Sequence, residues 1–282
     1  MACITPLLFH PTRISERQDG VEVPFDRALR RRDTPASPSS SNACIVRAAW
    51  RVGWRVASRA ASVGAATRAA ASEDWQFEAG IATDKVTRGM DISYRQPSVN
   101  VAANWYPGNG FFAGASAASI RFDQTRTTGA EFVANVGYGW RLANDWSAQA
   151  MLAHYQFTRV PSAARFNYDE LVLTAGWRDS VFASIALSPN TGFGPSPSSR
   201  AVSYDLVGRL PLVHGWTATA GIGYYDLHSV IGIGYVYGNV GLTWQFRSWQ
   251  FDVAYIATNS EAKTTLGPGA SNRWIADAIW HF

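Results

Sequence analysis

From Trp75 to the C-terminus the chain alternates apolar and polar positions with a period of two, and turn residues break the alternation at regular intervals. Such alternation puts successive side chains on opposite faces of a strand. It predicts twelve strands, over residues 75–88, 97–106, 111–122, 130–141, 146–157, 169–178, 181–188, 202–211, 216–226, 235–246, 249–257 and 274–282. In the fourth, Phe132, Ala134, Val136, Tyr138 and Trp140 share one face, and Glu131, Asn135, Gly137, Gly139 and Arg141 share the other. In the eighth, Val202, Tyr204, Leu206 and Leu210 oppose Ser203, Asp205 and Arg209. The last sets Trp274, Ala276, Ala278, Trp280 and Phe282 against Ile275, Asp277, Ile279 and His281.

The connections alternate in length. Residues 107–110, 143–145, 179–180, 213–215 and 247–248 make short ones. Longer polar ones cover 89–96, 123–129, 158–168, 189–201, 227–234 and 258–273. An antiparallel meander with its short turns at one end and its long loops at the other has this rhythm. The expected fold is therefore all-β, a closed antiparallel transmembrane β-barrel of about twelve strands. Short turns would face the periplasm and long loops the exterior. A soluble barrel hides its apolar face inside; one of this size could not easily fill its interior with the apolar set, whereas a bilayer would solvate it. Closure also removes the unpaired edges that lipid does not tolerate.

Composition sharpens this picture. Hydrophobic residues make up 47% of the 282, yet no run approaches the ~20 apolar residues a spanning helix needs. Twelve Trp and eleven Tyr suit aromatic girdles at the two membrane interfaces. A terminal aromatic on the final strand is the assembly signal of bacterial outer-membrane barrels. Trp280 and Phe282 are therefore assigned that role, with the barrel assembly machinery and outer-membrane lipid as expected partners.

The net charge of +4 belongs to one end. Residues 1–72 hold eleven Arg and no Lys against five acids, a net of +6, while the remaining 14 basic and 16 acidic residues give −2. Nothing after residue 72 suggests a nucleic-acid surface. Cys3 and Cys44 also lie in the first 72 residues, leaving the barrel without thiols, as suits an oxidising envelope. The division is thus 1–72, a disordered Pro/Ser/Arg-rich then Arg/Ala-rich extension, and 73–282, the barrel. Ala69, Ala70 and Ala71 look like a signal-peptidase site, but Arg47, Arg51, Arg55, Arg59 and Arg68 interrupt any apolar h-region. The expectation is that a different start or reading frame supplies an ordinary signal peptide in place of this extension.

Three short segments resemble a known family. Asp84, Arg88 and Gly89 match its first-strand pattern, with Lys85 where the family has Tyr. Gly110-Phe111-Phe112-Ala113-Gly114 is similar to a Gly-Phe-Tyr-x-Gly segment, and Tyr168-Asp169-Glu170-Leu171 reproduces a Tyr-Asp-Glu-Leu segment. Together they make residues 75–282 resemble the TorF family of short proteobacterial outer-membrane porins. The resemblance implies a barrel with a pore role and no defined substrate.

Charged residues on the polar strand faces are the pore-lining candidates: Asp84, Arg88, Glu131, Arg141, Glu170, Arg178, Asp205, Arg209, Asp252 and Asp277. Opposed acids and bases can set a transverse field that orients small hydrophilic solutes; they can equally pair up and fill a narrow lumen. The expected role is passive solute passage without catalysis, cofactor or metal. A non-conducting structural or adhesive barrel is the alternative, and a barrel hydrolase a lesser one. For the hydrolase, Asp226 and His228 form an Asp-x-His pair, but no Asp-x-Asp partner and no Gly-x-Ser-x-Gly elbow accompany it. His154, His214, His228 and His281 are too scattered to suggest a metal site. In the glycine-rich stretch 221–241, Gly232, Gly234, Gly238 and Gly241 mark a bend or a thinned wall, and residues 188–200 form an outer loop that is a candidate lumen constriction.

Overall fold

A computed structural model describes residues 74–121, 128–159, 163–192 and 197–282. The 1–72 extension lies outside the described residues. Strand β1 (Trp75–Ala82) leads into a two-stranded miniature hairpin, β2 (Val86–Thr87) and β3 (Met90–Asp91), and then into β4 (Ser98–Trp105). A meander follows: β5 (Phe111–Ile120), β6 (Gly129–Arg141), β7 (Trp146–Thr158), β8 (Tyr168–Trp177), β9 (Val181–Thr191), β10 (Ser199–Pro211) and β11 (Trp216–Leu227). The short helix α1 (His228–Ile231) precedes β12 (Ile233–Phe246) and β13 (Trp249–Thr258). Helix α2 (Ser260–Leu266) and a 3₁₀ turn then lead to β14 (Arg273–His281).

Each barrel strand pairs with its sequence neighbours, and β14 closes on β1 through Glu78↔His281, Gly80↔Ile279 and Ala82↔Asp277. Twelve antiparallel strands thus form a closed barrel, as the alternation predicted. The one substantial difference lies at the start. The first strand ends at Ala82 rather than at residue 88, and residues 83–97 leave the wall.

Register makes the two faces chemically distinct. Cross-strand partners share a face, so one row of pairs follows another around the cylinder. Val99, Val101, Phe132, Val136, Leu152, Leu173, Ile185, Leu206, Ile222, Val240, Leu242 and Val253 all point outward and are exposed. In water an apolar surface of this extent would be untenable. At the short-turn end the outward Trp pairs Trp75↔Trp105, Trp146↔Trp177, Trp216↔Trp244 and Trp249↔Trp280 face each other across adjacent strands. Stacked rings extend this girdle, with Trp249 and Trp280 centroids 5.8 Å apart and Trp280 and Phe282 4.5 Å apart. At the opposite end Tyr255 and Trp274 make a second outward contact at 5.2 Å.

The short turns are tight. Arg178 and Asp179 both have φ near +52°, and Ser180 N–H donates to the Trp177 carbonyl at 3.0 Å. Two successive left-handed residues match the right-handed twist of the flanking strands.

Candidate functional site

The first connection is the centre of the interior. Residues 83–97 fold into the barrel mouth at the long-loop end and contact the wall on several sides. Val86 is 2% exposed and packs on Ala254, Ile256 and Ile275 of β13 and β14. Ile92 packs on Ile120 and Phe157 of β5 and β7. The segment therefore crosses the lumen and carries apolar anchors on both sides.

Between those anchors the contacts are ionic. Arg88 donates to Glu170 of β8 at 2.6 Å, and the Glu170 side chain is only 3% exposed. The same guanidinium lies 4.7 Å from the centroid of the Tyr225 ring, a cation–π geometry. Tyr235 O–H donates to the Arg88 carbonyl at 3.0 Å. Lys85 pairs with Glu131 of β6 at 2.7 Å. From the other side Arg273 of β14 donates to Asp91 at 2.5 Å and to Asp84 at 3.4 Å. Ser93 ties the segment to itself, donating to Asp84 at 3.0 Å and accepting from Lys85 N–H at 2.8 Å. Burial, and then the nearby Asp91 charge, raise the Asp84 carboxyl above its ordinary value; Ser93 and Arg273 oppose the rise.

Glycine makes the crossing sterically possible. Gly89 has φ +78°, and a Cβ there would lie 2.7 Å from Thr258 Cγ2 and 2.8 Å from Tyr237 Cβ. Only glycine combines that backbone with that approach. Within the glycine-rich stretch, Gly223 makes room for a neighbouring ring. A Cβ at that position would come within 2.4 Å of Tyr237 Cζ. Tyr237 uses this room to donate to Asp205 at 2.5 Å.

Towards the short-turn end the lining changes. Asp252 accepts from Thr243 and, at 2.7 Å, from Gln250. It faces Asp277 directly across the β13–β14 ladder. Glu78 and His281 meet at 3.8 Å on β1 and β14. Arg209 projects from β10, with its guanidinium 5.3 Å from the Phe182 ring centroid. An acidic wall formed by β1, β13 and β14 thus lies within electrostatic reach of a basic group on β10, since Asp252 acts on Arg209.

Of the ten sequence candidates, Glu131, Glu170, Asp205, Arg209, Asp252 and Asp277 have the expected orientation into the lumen. Asp84 and Arg88 are inside as well, though on the inserted segment rather than on the face of a strand. Arg141 keeps the inward parity of β6 but stands exposed at its short-turn end. Arg178 is a correction. It occupies the tight turn after β8, pairs with Asp145 at 3.3 Å and lies over Trp177, with its side chain 62% exposed. The left-handed turn backbone takes it out of the strand's alternation.

The candidate constriction at 188–200 is corrected in part. Residues 189–191 continue β9 and residues 199–200 begin β10; residues 193–196 lie outside the described residues. Among the described residues, the first connection is the one whose charged side chains reach across the lumen to β6, β8 and β14. Asp226 and His228 do meet, with Oδ1 and Nδ1 2.8 Å apart, but at the solvent-exposed junction of β11 and α1. A second exposed pair, His154 with Asp169 at 2.7 Å, points outward from β7 and β8.

Sequence reading missed Lys85, Asp91, Arg273 and the interior tyrosines. Parity carried a signal for the tyrosines, since Tyr225, Tyr235 and Tyr237 alternate with the outward Tyr224 and Val236. Reading aromatics only as girdle residues hid it. No pattern within a strand signals that Arg88 meets Glu170, 82 residues later.

A closed barrel with an apolar exterior, aromatic belts and a polar interior is a transmembrane β-barrel, and in bacteria such barrels belong to the outer membrane. The chain is bacterial: residues 66–282 match, and the chain belongs to, the family described as "Bacterial protein of unknown function (Gcw_chp)". None of the curated proteins matches the chain in sequence. Among solved structures, the KdgM porin is similar at 11% identity and a TM-score of 0.47, over 73% of this chain and 99% of that one. A KdgM porin in complex with disordered oligogalacturonate is similar at 11% identity and a TM-score of 0.46, over 74% and 99%. The outer membrane protein OprD from Pseudomonas aeruginosa gives 12% identity and a TM-score of 0.36, over 75% and 65%.

Proposed function

We propose that the protein is a porin-like channel for the passive diffusion of small hydrophilic solutes, with residues 83–97 as its constriction. The observation that carries this reading is the interior itself. It is lined by Glu, Asp, Arg, Asn, Thr and Tyr side chains and crossed by a segment held largely by ion pairs, where a purely structural barrel could have been packed with apolar residues. The resemblance of residues 83–89, 110–114 and 168–171 to the TorF porins supports the same role. The pore-lining set is then Asp84, Arg88, Glu131, Glu170, Asp205, Arg209, Asp252 and Asp277, with Arg141 at the short-turn rim. Delivery through the assembly machinery by Trp280 and Phe282, and a barrel domain beginning near residue 73, belong to this reading.

Purified protein in planar bilayers tests it, beside a variant in which residues 84–96 are replaced by a short Gly/Ser linker. Discrete channel events are expected from both, with the larger conductance from the variant. The depth at which the segment fills the mouth favours one competing reading, a non-conducting structural barrel. Silence from both proteins across salts and voltages would establish that reading and refute the channel.

A further inference from the structure

Arg88 is a guanidinium seated in a pocket built by other parts of the chain. Glu170 supplies the carboxylate, Tyr225 the aromatic face, and Tyr168 and Tyr237 lie within electrostatic reach. Asp205 is near enough to act on the same charge. This is how a protein receives a cationic ligand, by a charge-assisted hydrogen bond and desolvated ring faces.

The tethers of the inserted segment also differ in what they leave behind. If it withdraws, Arg273 keeps three backbone acceptors, the carbonyls of Ser271, Pro268 and Gly269, at 2.9–3.0 Å. Glu170 and Glu131 lose the cations that face them, Arg88 and Lys85. A buried carboxylate without a partner is strongly unfavourable. Withdrawal is therefore easiest when another cation takes the vacated place. Neutral and anionic solutes cannot make that exchange.

The rest of the described wall reinforces the preference. Glu78, Glu131, Glu170, Asp205, Asp252 and Asp277 face the lumen, against Arg209 and Arg273 on the wall and Arg141 at the short-turn rim.

Resting on the channel reading above, we propose that the Glu170 pocket is a binding site for guanidinium or primary ammonium solutes, and that such a cation displaces Arg88 and frees the inserted segment. Glu131 offers a second place for an ammonium group, held by Lys85 in the docked state. Arg88 is then an internal competitor that occupies the site until solute arrives.

Agmatine, which carries a guanidinium and a primary ammonium, is the probe, and glutarate the anionic control. In isothermal titration of the refolded barrel, agmatine should bind Arg88→Ala at least tenfold more tightly than wild type. Adding Glu170→Gln to that background should weaken binding at least tenfold, and glutarate should bind none of the three. Should Glu170→Gln fail to give the heat-modifiable folded band, Tyr225→Leu in the same background replaces it, with a loss of roughly 3- to 30-fold expected from the missing cation–π face. In bilayers, agmatine should raise the open probability of wild type and leave that of Arg88→Ala unchanged. Equal binding to wild type and Arg88→Ala, or no binding to Arg88→Ala, overturns the site. Binding without channel events refutes the channel and leaves the site standing.

Discussion

The Arg88–Glu170 pair makes the most demanding prediction. Removing one partner of a buried pair costs about 3–5 kcal/mol, because the other charge is left uncompensated. The backbone ladder around the barrel does not depend on this pair, so the cost of Arg88→Ala falls on the docking of residues 83–97. At about 1.4 kcal/mol per tenfold, the undocked population should rise roughly 100-fold or more. The chain has two lysines, Lys85 in the inserted segment and Lys263 in α2, so endoproteinase Lys-C reports on docking directly. Lys85 is shielded, with its side chain 14% exposed, whereas Lys263 is exposed and serves as the internal control. When opening and closing are fast relative to cleavage, the cutting rate tracks the open population. Arg88→Ala should therefore accelerate cleavage after Lys85 by about two orders of magnitude with cleavage after Lys263 unchanged. A change within about threefold would mean that the apolar anchors Val86 and Ile92, not the ion pair, hold the segment.

Other perturbations test separate parts of the structure. Gly89→Val combines a left-handed backbone, roughly 1–2 kcal/mol for a residue with a Cβ, with the approach to Tyr237 and Thr258; it should undock the segment and raise Lys85 cleavage without altering the heat-modifiable gel shift. Leu206→Arg places a charge on the outward apolar belt and should cost about 2–4 kcal/mol in urea unfolding from lipid vesicles; the inward Thr219→Arg should cost less and alter conductance instead, and similar stability losses for both would contradict the assigned faces. Deleting Phe282, whose N–H donates to the Phe77 carbonyl at 2.8 Å, should sharply lower the folded yield in outer membranes while leaving refolding in detergent largely intact. The raised Asp84 carboxyl makes the docked segment bind a proton more tightly than the released one. Through this group, docking should strengthen as pH falls from the raised value towards the ordinary 3.8 and weaken above it; channel closed times should follow that trend, and Asp84→Asn should remove it.

Alternation along the chain was enough to specify the barrel and most of its orientation. A period-two pattern is a one-dimensional record of which face each residue occupies, and backbone pairing between neighbouring strands needs no further information to close the sheet. Glu131, Glu170, Asp205, Arg209, Asp252 and Asp277 were placed inward by parity alone, and the Trp-rich strand ends marked the girdle. That logic stops where the chain leaves the ladder. Asp84 and Arg88 continue the alternation of β1 on paper, yet the backbone departs at Ala82, because Val86, Lys85 and Arg88 are better satisfied by partners on β13–β14, β6 and β8. Arg178 was misplaced for a related reason, since a left-handed turn cancels the strand's parity. Which charges meet across the lumen is set by the curvature and closure of the whole sheet, which bring residues 82 positions apart to 2.6 Å. Closure of the sheet is what makes Arg88 and Glu170, present in two separately recognisable segments, one site.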